Sequence, residues 1–286
     1  MAEQHVIGPA TPEEVAHFAR RRTRNEHDYQ LYTDLAHVAP NGVFVARDEG
    51  APIGIAIPHA MEDEWFLSEL FVEPSFRSRG IGLELLIAAA GEANDLARSG
   101  IVDPAQLDAL AFYARRGVPL HTLLVEIAGA IPHASELERM AAGEYRFGAD
   151  PIDPMAHAAA LSQLDREVRG TARPQDHLYF SDNAKGFVFT LGVELAGYAY
   201  VWPSGRIGPM ASTSPAYLVQ MLAYALAALR ASYSAEWCTL LVPGVNTRIL
   251  RTTMRARLRI VNNVSFATDG TSLDLARYVG LNYLLF

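Results

Sequence analysis

Along this chain the spacing of hydrophobic and polar positions changes period several times, and each change marks an element. The segment 42–47 alternates and reads as a strand, 52–58 pairs with it across a turn at Asp48-Glu49-Gly50, and the apolar segment 65–72 reads as the next strand. A short strand is expected over 4–7. Thr11 stands before Pro12, with Glu14 three residues on, which predicts a capped helix through Phe18 to about residue 24. A second helix is predicted over 29–38. After Pro74 an alanine- and leucine-rich run begins near residue 81. Leu83, Leu86, Ile87 and Ala90 follow the i, i+3, i+4, i+7 rule and are its expected core face, with Glu84, Glu92 and Asp95 on another side. Only 100–103 remains for a strand before Pro104, so that strand is expected to be short or missing. A helix near 106–116 and a strand over 121–127 follow.

The second half repeats this order. A helix is predicted over 153–168, then a hairpin of 186–191 and 194–202 turning at Gly192. A strand over 206–211 leads, through Ser214-Pro215, into a long apolar helix ending near Arg230. A strand over 236–242, a helix over 246–257 and a strand over 259–268 close the chain. Pro132, Gly143, Gly148 and Pro151 punctuate the stretch between the halves. The expected division is a first domain at 1–131, a linker at 132–153 and a second domain at 154–286.

Composition narrows the classes. With 286 residues, half of them hydrophobic, the chain can form one large core or two smaller ones. Its net charge of −8 disfavours general affinity for nucleic acid and suits a cationic partner such as an amine. The runs Arg20-Arg21-Arg22 and 251–259 read as solvated helix faces. The most apolar window, 217–231, is too short to cross a bilayer and is interrupted by Arg230. Glu3, Gln4 and His5 stand where a leader would be basic and then apolar, and Cys238 is the single cysteine, so a cytoplasmic location is the expectation. His17, His27 and His37, ten residues apart, would not share a helix face, so no metal site is expected.

The chemistry is concentrated between Leu67 and Ala90. A strand carrying Glu69, Phe71 and Val72 ends at Pro74, which fixes φ and lacks a donor. Arg77, Ser78, Arg79, Gly80, Ile81 and Gly82 then lead straight into a helix. Glycines let backbone N–H groups approach a ligand closely, and the first N–H groups of a helix have no partner within it. With the helix dipole and two guanidinium groups added, the loop is a natural cradle for a diphosphate. It is not a dinucleotide fingerprint, because the third glycine position counted from Gly80 is Leu85. Nor is it a P-loop, because the only lysine is Lys185.

Arg77-x-x-Gly80-x-Gly82 after such a strand resembles the coenzyme A motif of the GNAT superfamily of N-acetyltransferases. A second motif resembles the same family. It runs from Gln106 to Val118, matching at Ala109, Phe112, Tyr113 and Gly117, with Gln106 in place of asparagine and Val118 in place of phenylalanine. The resemblance implies an α/β (α+β) fold, a mixed and mostly antiparallel sheet flanked by helices, present twice. It implies acetyl-CoA as cosubstrate, held by Arg77, Ser78, Arg79, Gly80, Ile81 and Gly82, with a backbone N–H near Phe71 or Val72 on the thioester carbonyl. It implies Tyr113 as general acid. Glu69, two residues before Phe71, is the candidate general base, and His59 is an alternative that also reads as a surface histidine. Glu62, Asp63 and Glu64 read as a solvated turn or as a lure for a cationic amine. Tyr29 and Tyr32 either line the acceptor pocket or belong to the core.

The joint at 207–215 of the second half has no basic residue and no paired glycines, and Thr252 and Thr253 stand where Phe112 and Tyr113 stand in the first. It reads as a degenerate copy. The expected function is acetyl transfer from acetyl-CoA to an amine of a small molecule or peptide, by direct attack on the thioester. The alternative is a catalytically inactive acyl-CoA sensor or assembly module. The apolar end, Tyr283-Leu284-Leu285-Phe286, calls for a groove, either on its own domain or across a homodimer.

Overall fold

A computed structural model of the chain describes residues 5–23, 26–38, 42–91, 96–270 and 273–286. The side chains of 26–27 and 36–38 lie outside that description, so Gln4, His27, His37, Glu92 and Asp95 of the sequence expectations are not placed. The chain divides into two compact units, 1–101 and 102–286.

In the first unit, Thr11 caps α1 (Pro12–Arg22) as its spacing predicts. Its hydroxyl accepts from the Glu14 N–H at 3.3 Å, and the Glu14 carboxylate accepts from the Thr11 N–H at 2.8 Å. The helix buries Val15, Phe18 and Ala19, and α2 (Glu26–Val38) buries Leu31, Tyr32 and Leu35. The strands β1 (Val6–Pro9), β2 (Phe44–Asp48), β3 (Ala51–Ala60) and β4 (Glu64–Val72) form an antiparallel run in that order. Next to β4 lies β5 (Ala97–Val102), parallel to it from Glu64–Ala97 to Leu67–Gly100. The strand expected to be short or missing therefore exists and begins earlier, at Ala97. Its polar start hid it: Ser99 is buried and donates to the carboxylate of Glu64, itself buried rather than part of a solvated turn.

The helix after the cradle, α3 (Ile81–Ala90), faces inward with Ile81, Leu85 and Ala89, not with the expected set. Leu83 and Ile87 are 41% and 63% exposed. Almost every position of this helix is apolar, so periodicity could not choose a face. Packing chooses it, since the Leu85 methyl lies where a side chain at Gly54 of β3 would stand.

The second unit opens with α4 (Leu107–Ala114) and β6 (Leu120–Ala130). Its other elements are α5 (Ala134–Ala141), β7 (Gly148–Pro151), α6 (Ala158–Arg169), α7 (Pro174–Asn183), β8 (Lys185–Leu191), β9 (Glu194–Val201), β10 (Arg206–Ser212), α8 (Leu218–Tyr233), β11 (Trp237–Pro243), α9 (Thr247–Arg255), β12 (Arg259–Thr268) and β13 (Tyr278–Val279). From β7 to β12 the order repeats that from β1 to β6. It includes the antiparallel run and then one parallel pair, β10 with β11. The strand β6 is bonded along one edge to β11 and along the other to β12. That double pairing groups α4 and β6 with the second compact unit, 102–286. The stretch expected to be a linker holds α5 and β7. Leu137 and Met140 of α5 are buried, and its breakers end elements without preventing them. The apolar helix α8 is the core of this unit. Among the described residues no helix is long and apolar enough to cross a membrane.

One feature of this sheet has no sequence forecast. β10 and β11 pair only at Arg206–Thr239 and Ile207–Leu240. Beyond that point β13 enters, pairing Val279 with Met210 and Tyr278 with Ala211, while Gly280 bridges to Leu241. The fit is close enough that a Cβ at Gly208 would collide with the carbonyl of Gly280. The apolar chain end follows into the same unit, with the Phe286 ring 4.7 Å from Phe266 and 5.3 Å from Tyr278.

Candidate active site

The joint between β4 and α3 has the form the glycines require. Ser78 and Gly80 both take the left-handed conformation, at φ 63° and 89°. A side chain at Gly80 would be strained whatever the space around it. Gly80 also stands at the N-cap of α3 and supplies no side-chain cap. Among the described residues the N–H groups of Gly80, Ile81 and Gly82 have no protein partner, while Leu83 and Glu84 already bond back to the Gly80 carbonyl. A Cβ at Gly82 would meet Val72 at an ordinary 3.8 Å. No protein atom forbids a side chain there, and the bare backbone suits the close approach of a group from outside the chain. These residues fit a diphosphate. The two arginines are folded back: Arg77 Nε donates to the Val72 carbonyl at 3.0 Å, and Arg79 donates to the Ser75 carbonyl at 3.1 Å with its guanidinium over the Phe76 ring.

β4 itself is bulged. Ile57 faces Glu69 and Pro58 faces Leu67, so Ser68 is the extra residue. Past Leu67 the strand keeps only β3 as a ladder partner among the described residues. The Glu73 N–H donates to Ile53 at 2.8 Å. Strand alternation then turns the Phe71 backbone toward β3 and the Val72 backbone toward the unpaired edge. Of the two expected positions, Val72 is the one whose N–H faces that edge.

On the α1 and α2 side of β4 sits a small polar cluster. The Arg22 guanidinium reaches both Glu69 carboxylate oxygens, at 3.3 and 3.4 Å, and lies 4.7 Å over the Phe71 ring. Burial raises the Glu69 carboxyl above its ordinary value, and Arg22 only partly offsets this. Among the described residues the Tyr32 hydroxyl, on a residue 1% exposed, has no hydrogen-bond partner. Burial and the nearby Glu69 charge hold that phenol well above its usual range. The arginine run is therefore not a plain solvated face: Arg21 pairs with Glu73 at 2.6 Å, and Arg20 lies over Tyr29. His59 is buried rather than a surface residue. Glu62 and Asp63 are exposed.

Tyr113 stands on α4, in the second unit, partly buried and edge-on to Phe112 at 6.1 Å. Arg116 stacks 3.5 Å over Phe112. Gln106 occupies the N-cap of α4 without a side-chain cap. The structure thus brings Glu69, Phe71, Val72 and the cradle together in one unit and sets Tyr113 in the other. Sequence reasoning missed Arg22 and left Tyr32 undecided. The signal for Arg22 was its place at the end of α1, three residues after buried Ala19 and four after buried Phe18.

Residues 12–118 match the model of the acetyltransferase (GNAT) family. A comparison with curated proteins gives no match. Among solved structures, a Pyrococcus horikoshii protein provisionally classed as an acetyltransferase is similar at 16% identity, with a TM-score of 0.76 over 100% of this chain and 97% of that one. A tandem GNAT protein from the clavulanic acid biosynthesis pathway is similar at 17% identity, with a TM-score of 0.59 over 94% and 100%. A GCN5-related N-acetyltransferase of Sphaerobacter thermophilus shows 13% identity and a TM-score of 0.64 over 94% and 98%.

Proposed function

From a chain whose residues 12–118 match the GNAT family model and whose fold is similar to that of tandem GNAT proteins, we propose an acetyl-CoA-dependent N-acetyltransferase. The observation that carries the proposal is the row of unpartnered N–H groups at Gly80, Ile81 and Gly82, set by left-handed Ser78 and Gly80 at a helix start. Acetyl-CoA supplies a thioester: an electrophilic acyl carbon and a thiolate leaving group.

The chain's own residues supply the rest. Backbone N–H groups of the cradle hold the diphosphate, and Arg77 and Arg79 are close enough in sequence to turn outward and add charge-assisted bonds. The Val72 N–H, facing the unpaired edge of β4, is the donor for charge developing on the thioester oxygen. Glu69 takes the proton of the attacking amine, its raised pKa bringing a carboxylate closer to the working range of a base. Tyr113, by its place in the family motif, returns a proton to the departing sulfur. One C–N bond forms and one C–S bond breaks, and the two protons balance. The first unit carries eight Arg and Lys against sixteen Asp and Glu, so it holds the whole net charge of −8, which favours approach of a cationic amine.

The test is calorimetry with coenzyme A. Arg77→Gln combined with Gly80→Val is expected to weaken binding roughly 30-fold or more, the loss of two or three strong hydrogen bonds. Unchanged affinity refutes the cradle. Thiol release across an amine panel separates the enzyme from an inactive acyl-CoA sensor, which would bind and release nothing.

A further inference from the structure

The Arg–Glu ion pairs of the first unit are not alike. Arg47 grips Glu14 at 2.6 Å through two nitrogens, and Arg21 reaches Glu73 at 2.6 Å. Arg22 and Glu69 stand 3.3 and 3.4 Å apart, longer than the 2.7–2.9 Å usual for charge-assisted bonds. Yet Arg22 is not loose. It is the last residue of α1, and its guanidinium is stacked on Phe71. It uses Nε and one terminal nitrogen toward Glu69, and among the described residues the other terminal nitrogen has no partner. Its side chain is 35% exposed while that of Glu69 is 12% exposed. The guanidinium therefore has one edge on the base and one edge toward solvent, and a ring keeps it in place if the base lets go.

A purely cationic acceptor gains nothing from a fixed guanidinium beside the base. We propose that the acceptor is an amine bearing a nearby carboxylate, an α- or β-amino acid, whose carboxylate docks on the open edge of Arg22 while its amine faces Glu69. The short separation follows from the shared guanidinium: the group on one edge and the amine at the carboxylate on the other lie only a few bonds apart. Among the described residues the Tyr32 hydroxyl, buried near Glu69, has no hydrogen-bond partner, so it is a polar group that a repositioned Glu69 could engage.

This inference rests on the proposed acetyltransferase reading, and the experiment separates the two. Matched pairs are assayed for thiol release from acetyl-CoA: each amino acid against the amine left when its carboxylate is removed, such as lysine with cadaverine. The expected result is a preference in kcat/KM of roughly 10- to 100-fold for the amino acid, the worth of a hydrogen-bonded charge pair. Arg22→Gln should reduce the preference to a few-fold, and Arg22→Lys should restore part of it, with coenzyme affinity by calorimetry unchanged in both. Equal or better use of the decarboxylated amine by the wild type overturns the inference and leaves the acetyltransferase standing. Coenzyme binding with neither turnover nor a thermal shift from any amino acid also overturns it. Failure to bind coenzyme overturns the proposed function itself.

Discussion

Two joints of the same fold, β4 into α3 and β10 into α8, have opposite fates. In the first, the parallel partner strand stops pairing at Leu67, and the five residues from Ser68 to Val72 keep an edge without a ladder partner among the described residues. In the second, pairing stops at Ile207, and β13 takes up the edge that follows, bonded to Met210 and Ala211 and bridged to Leu241. The first joint carries left-handed Ser78 and Gly80 and unpartnered N–H groups. The second carries Ile207-Gly208-Pro209-Met210, with neither arginine nor paired glycines until the helix begins. What this teaches is that the second copy did more than lose a phosphate loop. The place where strands part was filled by the chain's own end, so the copy became core.

The filling is held by a buried charge, and removing that charge is the largest effect we expect. Asp165 accepts from Tyr198 at 2.6 Å, from His177 Nε2 at 2.8 Å and from Arg173 Nε at 3.3 Å. Arg173 in turn donates to Tyr198 and to Tyr278 of β13, at 2.8 and 2.9 Å. Burial pushes the Asp165 carboxyl up, but Arg173, His177 and Tyr198 together hold it down at about 2. Asp165→Ala leaves Arg173 buried without its carboxylate and should cost about 3–5 kcal/mol in denaturant unfolding. The depressed value also fixes a pH window. The stability Asp165 contributes is present above the unfolded value near 4 and is lost as pH falls toward 2. The acid-unfolding midpoint should therefore move up in the variant. A cost under about 1 kcal/mol with an unmoved midpoint would show that this network does not secure the tail.

Glu69, largely buried in the first unit, has the opposite sign. Burial raises Glu69, and Arg22 does not fully compensate. A raised carboxyl favours the protonated form on folding. Its contribution is therefore present below the unfolded value of 4.5 and is lost as pH rises through the folded value. Glu69→Gln should leave stability at neutral pH unchanged or slightly improved. It should also lower turnover about 100-fold or more and abolish the rising limb of the pH–rate profile. Full activity would remove Glu69 as base. Equal stability losses for Glu69→Gln and Asp165→Ala would erase the distinction between the proposed base and a carboxylate that secures structure.

Much of this was legible in the chain. The box at Thr11 and Glu14, the cradle from Arg77 to Gly82, and β12 at Arg259–Thr268 announce themselves through local chemistry. Three things were not. α3 is apolar nearly all round, so only the space beside Gly54 could choose Leu85 over Leu83. β5 was masked by Arg98 and Ser99, whose polarity suits a loop until the buried Glu64 supplies Ser99 with a partner. The pairing of β6 with both β11 and β12 is a long-range choice that no periodicity records. At the site, Glu69 and the glycines were visible because spacing along one strand and one turn places them. Arg22 and Tyr32 come from other helices, and only the fold brings them to Glu69.

The smallest difference between the halves is a single cap, and it sharpens the comparison most cheaply. Asn246 caps α9, its side-chain oxygen accepting from the Ile249 N–H at 3.3 Å, and its amide also donates to the Tyr278 carbonyl at 3.0 Å. Gln106 holds the matching place before α4 and caps nothing, because its extra methylene takes the side-chain amide beyond the geometry that a short Asn satisfies. Asn246→Ala should cost about 1 kcal/mol or somewhat more, the cap plus one bond to the strand that fills the second joint. Gln106→Asn should gain a few tenths to about 1 kcal/mol, read as slower amide exchange over α4. If Gln106→Asn steadies α4 while turnover holds, the missing cap is a neutral loss. If turnover falls as the helix steadies, the missing cap of α4, seven residues before Tyr113, matters to activity, whereas the cap of α9 serves structure.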